Sequence, residues 1–536
     1  MNIDWLKKSS VLLVAFLLVI GLVFITGCQT DPEEVVDVGD EPAEEEPVDT
    51  GEPQFGGTLR HAMSSDISTI SPYITEWQAH EVTRNVVEGL LTVDEGLKIQ
   101  PGLAKEYEVS EDGMVYTFYL HEGVLFHNGQ EMTAEDVVYS FEKMMESPIA
   151  GNFDVVSGVE AIDEYTVQIT TSEVSGPFLM NIAHPYTAAI IPNGIIEEQG
   201  GELEHLIGTG PFEFVEWVPD RHVHIARFDD YWGGVGEPSG TYGEKVAYLD
   251  EVYFVPTAEV ASRMVGLETG DLDIAFIPGK EIDRLVEQPH LEAAMTGPTY
   301  EFWNYWFNVG RAPFDDINFR KAVVHAINRE DILMAAADGF GAVVNSPYSS
   351  ISAWYTPEHA LEWEHDMDKA MEYLEASSYN GEKVYITTFS GYTAMDRMGV
   401  IAESVLQGMG IDAELQYMEW SALFDSFWNG DYHMLCYGYG AFPDPDAWYY
   451  TRLHSAQNTC NWVNAEFDAL VEEARQTVDF ETRKALYARA QEIVIEELPT
   501  LPTISEEYVY VHNARINDFD PWNAVFTRYY NVWVSE

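Results

Sequence analysis

The stretch Leu435–Tyr450, LCYGYGAFPDPDAWYY, holds the side chains best suited to binding something. Tyr437, Tyr439, Phe442, Trp448, Tyr449 and Tyr450 share it with two carboxylates, Asp444 and Asp446. Flat rings offer large contact area at low entropy cost, and carboxylates hold cations or hydrogen-bond donors. Gly438, Gly440, Pro443 and Pro445 stop regular structure, so an apolar strand ending at Tyr437 must hold this loop in place. On these residues alone, packing of the same rings in a core is as good a reading. Asp444 and Asp446 suit a hard cation, although Asp in a Pro-rich turn is commoner. His222 and His224 put two imidazoles on one face of a strand, but no third metal ligand is apparent and an exposed strand fits better. No HExxH, GxSxG, CxxC or Walker loop is present. Gly208-Thr209-Gly210 leads into a strand, so no helix N-terminus is there for a phosphate. The chain reads as a non-enzyme with no cofactor and no metal.

The 536 residues, 46% hydrophobic and 13% aromatic, are ample for a large core and too many for one domain. With 91 acidic and 27 basic residues the formal net charge is −64, which excludes a nucleic-acid partner. Residues 1–54 carry 12 acids and 2 lysines, so −54 remains on the body. Three cysteines, Cys28, Cys436 and Cys460, are too few for a disulfide framework. Cys436 reads as a buried strand residue and Cys460 as part of a polar loop; a bridge between them stays open.

The elements that position the loop follow in order. Lys7 and Lys8 precede an apolar run, Val11–Ile25, rather short for a spanning helix, with an uncleaved membrane anchor as the alternative to an export signal. It ends Ile25-Thr26-Gly27-Cys28, which resembles a bacterial lipoprotein signal and implies lipidation of Cys28. Residues 29–54 hold eleven acids, four prolines and no base, the composition of a disordered tether. Its contour is at most roughly 85–90 Å. The folded body starts near Phe55. The apolar spacing predicts a helix over Glu81–Leu91, a strand over Tyr107–Ser110, a hairpin into Val115–Leu120 and a helix over Glu135–Met145 capped by Thr133. His121 and His127 beside the hairpin read as structural. Residues 384–440 alternate strand Val384–Phe389, helix Ala394–Met409, strand Ile411–Tyr417, helix Ser421–Asn429 and strand Tyr432–Tyr437, which is an α/β pattern. A helical pair covers 467–495 and a late strand covers 506–512.

VVEGLLTVDEGLKIQPGLAKEYEVSEDGMVYTFYLHEGVLFHNGQEMTAEDVVYSFEKMM resembles the signature of the oligopeptide-, dipeptide- and nickel-binding proteins of ABC importers. Gly208-Thr209-Gly210-Pro211-Phe212, Glu268-Thr269-Gly270-Asp271-Leu272-Asp273, Phe314-Asp315-Asp316, Arg483-Lys484-Ala485-Leu486-Tyr487 and Leu498-Pro499-Thr500-Leu501-Pro502 continue it, across residues 56–520. The resemblance implies an α/β, two-lobed, periplasmic-binding-protein-like fold with a hinge. Residues 1–28 are then a signal peptide, 29–54 a tether, 55–308 lobe I with an inserted subdomain at about 92–207, 309–500 lobe II, and 501–536 a return to lobe I. The crossings fall near Asn308 and Leu501. The implied function is a monomeric, lipid-anchored extracytoplasmic receptor that captures a peptide-like solute in the interlobe cleft and delivers it to an ABC permease. Nickel-chelate or oligosaccharide binding, or a non-transport sensor, are the alternatives.

By the same resemblance the loop after Tyr437 lines the ligand site from the second lobe. The aspartate that pairs with a peptide ammonium in such proteins is replaced near Ala441, with Phe442 beside it. No base precedes the helix at Ala394, and the nearest one, Arg397, is inside it. A histidine that follows Asp-Pro in nickel binders is here Asp446. The aromatic candidates are Tyr392, Trp420, Tyr437, Tyr439, Phe442 and Trp448 from the second lobe and Trp77 and Phe153 from the first, with Asp444 and Asp446 between the prolines.

Like charge at −54 repels itself unless salt screens it, so the surface is suited to saline surroundings. The melting temperature is expected to rise from low to molar NaCl. A midpoint that stays level or falls over that range removes this reading.

Overall fold

The computed structural model describes residues 51–535, except 185–187, Pro347, Ser349, Ile351, 358–362, 441–443, Asn523, Val525 and Phe526. The signal, Cys28, most of the tether, Ala441 and Phe442 therefore lie outside the described residues, as do the side chains of Trp77 and Tyr439.

Two sheets organise the chain, each with its own apolar core. The first runs in the order Leu291–Pro298, Ile504–Asn513, Ile274–Phe276, Thr58–Met63, Glu251–Pro256, His222–Arg227, Phe212–Val218. The second runs Ala413–Tyr417, Val384–Thr388, Met434–Tyr439, Phe302–Phe307, Thr500–Pro502. A separate four-stranded antiparallel sheet (104–109, 115–120, 166–171 and 156–163) joins the first core, where an inserted subdomain was expected. The chain passes from the first sheet to the second between Pro298 and Phe302 and returns between Pro502 and Ile504. The first passage comes before Asn308, because Phe302–Phe307 pairs antiparallel with Met434–Tyr439 and with Thr500–Pro502. Gly341–Val343 lies on the first residues after the return, Ile504–Glu506.

In the second sheet Val384–Thr388 is parallel to both Ala413–Tyr417 and Met434–Tyr439. The crossovers are the helices Thr393–Gly408 and Trp420–Asn429, in the expected alternation. Val115–Leu120 forms as read, and the helix Ala134–Met145 starts where Thr133 donates its N–H to the Asp136 carboxylate at 2.7 Å. The expected helix over Glu81–Leu91 does not form; the helix is Trp77–Thr83. Its apolar residues Val82, Val86, Val87 and Leu90 are all buried. The carbonyls beyond it are used elsewhere: Asn85 accepts from Phe212, Val86 from Gly210, Glu88 from Ile190 and Gly89 from Leu103. Tertiary partners thus take the bonds a helix would need. Gly208 and Gly210 serve that contact, since a Cβ on Gly208 would stand 2.1 Å from the Val86 carbonyl oxygen. His127 locks the same place, accepting from Gly208 N–H at 3.2 Å and reaching the Gly210 carbonyl at 3.0 Å.

Cys460 lies in a loop, as read, and is buried there, with its Sγ 3.7 Å from the Pro499 carbonyl. It and the buried Cys436 are both free thiols. The paired helices Ala465–Arg475 and Phe480–Glu497 close the second core. They also fix the loop after Met434–Tyr439, because Arg483 grips Asp444 with two hydrogen bonds of 2.8 Å. Both side chains are about 5% exposed (4% and 5%). Burial draws the guanidinium pKa down, and Asp444 reverses this and carries it above its ordinary value.

Breaking such a pair leaves a buried charge without a partner. Asp444→Ala is expected to lower unfolding stability by about 3–5 kcal/mol. Asp444→Ala with Arg483→Met is expected to recover most of the loss. Urea denaturation of both variants reads the difference; equal losses would show that the pair acts through something other than its charges.

Candidate functional site

Open α/β sheets bind ligands outside the carboxyl ends of their parallel strands. In the second sheet those ends carry an aromatic wall. Phe389 and Tyr392 follow Val384–Thr388, Trp420 follows Ala413–Tyr417, and Tyr437 stands near the end of Met434–Tyr439. Ring centroids lie 5.4 Å apart for Tyr392–Trp420, 5.4 Å for Phe389–Trp420, 5.8 Å for Phe389–Tyr392 and 6.0 Å for Trp420–Tyr437. Trp303, at the start of the antiparallel neighbour, extends the wall to 6.0 Å from Tyr392. Tyr392 is 48% and Trp420 38% exposed, which is unusual for rings stacked this closely and leaves faces free for contact.

Glycines shape the wall. A Cβ on Gly438 would stand 2.6 Å from the Trp303 ring, and one on Gly391 would stand 2.2 Å from the Phe389 ring. Both positions admit a ring where any other residue would push it away.

Of the candidates read from sequence, Tyr392, Trp420 and Tyr437 come together here. Trp448 does not: it is 1% exposed, packed 5.0 Å from Phe302 and 4.9 Å from Trp306 behind the sheet. Asp444 is held by Arg483, and Asp446 stands 3.0 Å from Arg475. Burial raises the Asp446 pKa to about 6 despite that arginine. Neither carboxylate is free to take a ligand cation. Phe153 belongs to the first core, 1% exposed and edge-on to Phe141 at 5.6 Å. Its place is explained by packing, since it is enclosed on the sheet of the inserted region. Arg397 lies in the helix next to Asp396, at 3.3 Å.

Sequence reading missed Trp303, Phe389 and two acids beside them. Trp303 sits in the continuous apolar run FWNYWF, which looks like core. Glu301 lies on the first passage and Glu506 on the strand just beyond the second; both are half-buried. Glu301 accepts from the Tyr508 hydroxyl at 2.9 Å, and burial raises its pKa. Burial likewise pushes Glu506 up to about 7, while a hydrogen bond from the Trp303 side chain works against this and Glu301 adds to it. The signal was available: Glu506-Glu507 interrupts an otherwise apolar strand.

The histidine pair holds no metal cluster. His222 is 3.2 Å from Glu216, and His224 stacks on Tyr253 at 4.2 Å. No group of three potential ligands exists among the described residues. A cavity of about 60 Å³ lies in the first core, lined by Glu88, Trp232 and Lys245 among others. Its main charge is already satisfied, because Glu88 accepts from Lys245 at 2.7 Å, Tyr231 at 2.9 Å, Trp232 at 2.9 Å and Thr209 at 3.1 Å. The aromatic wall is the better candidate.

Residues 98–460 match the family described as bacterial extracellular solute-binding proteins, family 5 Middle. The glutathione-binding protein GsiB of Escherichia coli (strain K12) is 27% identical over 483 residues, covering 85% of this chain and 91% of that protein. The periplasmic binding protein DppA of Helicobacter pylori, solved with the peptide STSA, is 27% identical with a TM-score of 0.72, over 90% of this chain and 99% of that one. CtaP of Listeria monocytogenes, at 24% identity and a TM-score of 0.78 over 90% of this chain and 100% of that one, shares the fold. The α/β architecture is therefore that of the periplasmic binding proteins, with the wall on one of its two sheets. The chain belongs to the family 5 bacterial extracellular solute-binding proteins, the non-catalytic substrate-binding components of ABC transporters.

Proposed function

We propose that this chain is a lipid-anchored receptor that captures a peptide-like solute between two lobes and hands it to a cognate permease. The observation that carries the reading is the half-exposed wall of Trp303, Tyr392 and Trp420 at the carboxyl ends of the second sheet. The relatives named for glutathione and crystallised with a tetrapeptide support a peptide-like ligand. The two passages at 298–302 and 502–504 serve as the hinge, and the ligand favours the closed form by touching both lobes.

The loop lacks a free acid for a peptide ammonium, since Ala441 occupies the usual place and Asp444 is held by Arg483. No arginine precedes the helix at Thr393 for a peptide carboxylate. A short free peptide would bury its carboxylate unpaired, and its ammonium would find no partner on this loop; a missing partner costs about 3–5 kcal/mol.

Calorimetry with a peptide-length series is expected to show weak binding of dipeptides and tripeptides and tighter binding of longer peptides. Trp420→Ala is expected to weaken the best ligand roughly tenfold to a hundredfold, the range for loss of a well-packed ring. That ligand should also compact the small-angle scattering curve. Submicromolar binding of a free dipeptide, or a Trp420→Ala variant with unchanged affinity, overturns this account of the site.

The anchor rests on Ile25-Thr26-Gly27-Cys28. Cys28→Ser is expected to move the protein from the membrane fraction into the medium. Retention of the variant on membranes after signal cleavage counts against lipidation.

A further inference from the structure

The two passages between the sheets are antiparallel neighbours. Thr503 donates its N–H to the Trp303 carbonyl at 2.8 Å, and Thr299 donates to Glu506 at 3.2 Å. The first passage carries Glu301, and the strand just beyond the second carries Glu506. Glu301 accepts from the Tyr508 hydroxyl at 2.9 Å, Trp303 lies beside Glu506, and the two acids repel each other. All four side chains are half-buried. Among the described residues neither acid is paired with a lysine or arginine.

Two like charges held together in a half-buried place without a counterion are unfavourable in the empty protein. The Tyr508 hydroxyl orients Glu301 and supplies no charge, so the pair relieves its repulsion either by holding a proton, the direction in which both carboxyl groups are displaced, or by binding a cation. The same Trp303 that lies beside Glu506 stands 6.0 Å from Tyr392 in the wall, so the acids and the rings adjoin through one side chain. Rings beside carboxylates suit an ammonium or guanidinium group, by charge on one side and by cation–π attraction on the other. The net charge of the body, −54, draws cations toward it.

We infer that Glu301 and Glu506 form a socket for a cationic group of the solute, with Trp303 joining it to the aromatic wall. This rests on the reading of the wall as the solute site and narrows it to solutes bearing an ammonium or guanidinium side chain. Glu301 stands on the first passage and Glu506 on the strand just beyond the second. A bound cation removes their repulsion and ties the first passage to that strand, which couples charge recognition to the hinge.

Two experiments on the full chain test it. The first compares thermal melts with n-butylguanidinium and with neutral n-butylurea, in the wild type, in Glu301→Gln with Glu506→Gln, and in Glu507→Gln as a neighbouring control. The cation should raise the wild-type midpoint more than the urea does. The difference should vanish in the double variant and survive in Glu507→Gln. The second is calorimetry with acetylated, amidated tetrapeptides carrying arginine or its neutral counterpart citrulline. Arginine should bind at least about tenfold more tightly in the wild type and equally in the double variant. Midpoints without ligand report whether the variants fold, and the swaps keep the shape of each side chain. A guanidinium preference with no peptide binding keeps the socket and removes the peptide reading. Peptides that bind regardless of charge, with no guanidinium preference or one that outlives the double variant, remove the socket and keep the peptide reading.

Discussion

Two short passages of chain lead into and out of the second sheet, and they are bonded to each other on the way. Two further contacts join the bodies: Gly341–Val343 lies along Ile504–Glu506, and Gly176 donates its N–H to the Arg475 carbonyl at 2.7 Å. Ser505 adds a hydroxyl bond to the Thr299 carbonyl at 2.8 Å, and Thr503 adds one to the Trp303 carbonyl at 2.8 Å. Such a pair bends as one ribbon. Tyr300 anchors it to the first body by donating to the Glu95 carbonyl at 3.0 Å. Because the rings of the wall all come from residues between the passages, a bend would carry the wall as a unit. The rings would approach a partner surface without having to rearrange among themselves.

That unit is stiff for reasons visible in the packing. The segment between Tyr439 and Asp446 holds two prolines and one glycine: Pro443, Pro445 and Gly440. Arg483 holds it from behind, and Trp448 sinks between Phe302 and Trp306 under the strand that carries Trp303. The acids that sequence offers most plainly to a ligand are thus used for anchorage. A guanidinium that satisfies both oxygens of Asp444 in a buried place leaves nothing for a solute. Rigidity here favours binding, since rings that are already in place lose little entropy when a ligand arrives.

How much of this was legible depended on whether a segment's bonds were local. The alternation across 384–440 was readable because each strand and helix there satisfies its own periodicity, and boundaries moved by one or two residues. Val115–Leu120 was readable for the same reason. The segment 84–91 was not, since its carbonyls are taken by Phe212, Gly210, Ile190 and Leu103, partners far away in sequence. Trp420 and Trp448 show the limit for single residues. Both follow a strand of the same sheet, and both looked equally able to face a ligand or a core. Trp420 opens a crossover helix at the strand end and stays 38% exposed, whereas Trp448 sits in the one-turn helix Asp446–Trp448 that Arg483 and Arg475 pull inward, and is 1% exposed. Side-chain type cannot distinguish these outcomes; the position of the arginines can. Cys460 lies in the loop that its polar neighbours announce, but those neighbours say nothing of the Tyr432 hydroxyl 3.8 Å away, beside which the thiol is buried.

The electrostatics act on two length scales, and salt separates them. The field of 54 excess negative charges is long-ranged and diffuse. It is screened beyond about 10 Å at 0.1 M salt and about 3 Å at 1 M. In saline surroundings it therefore does little to draw a solute in. At that salt the charges also repel one another less. Glu301 and Glu506 act at contact distance in a half-buried place, where counterions penetrate poorly. Their preference for a cation survives salt that erases the field. Association rate should then fall with salt while discrimination between charged and neutral solutes persists. In a binding protein of this acidity, the surface charge sets how often a cation arrives, and the pair at the passages decides whether it stays.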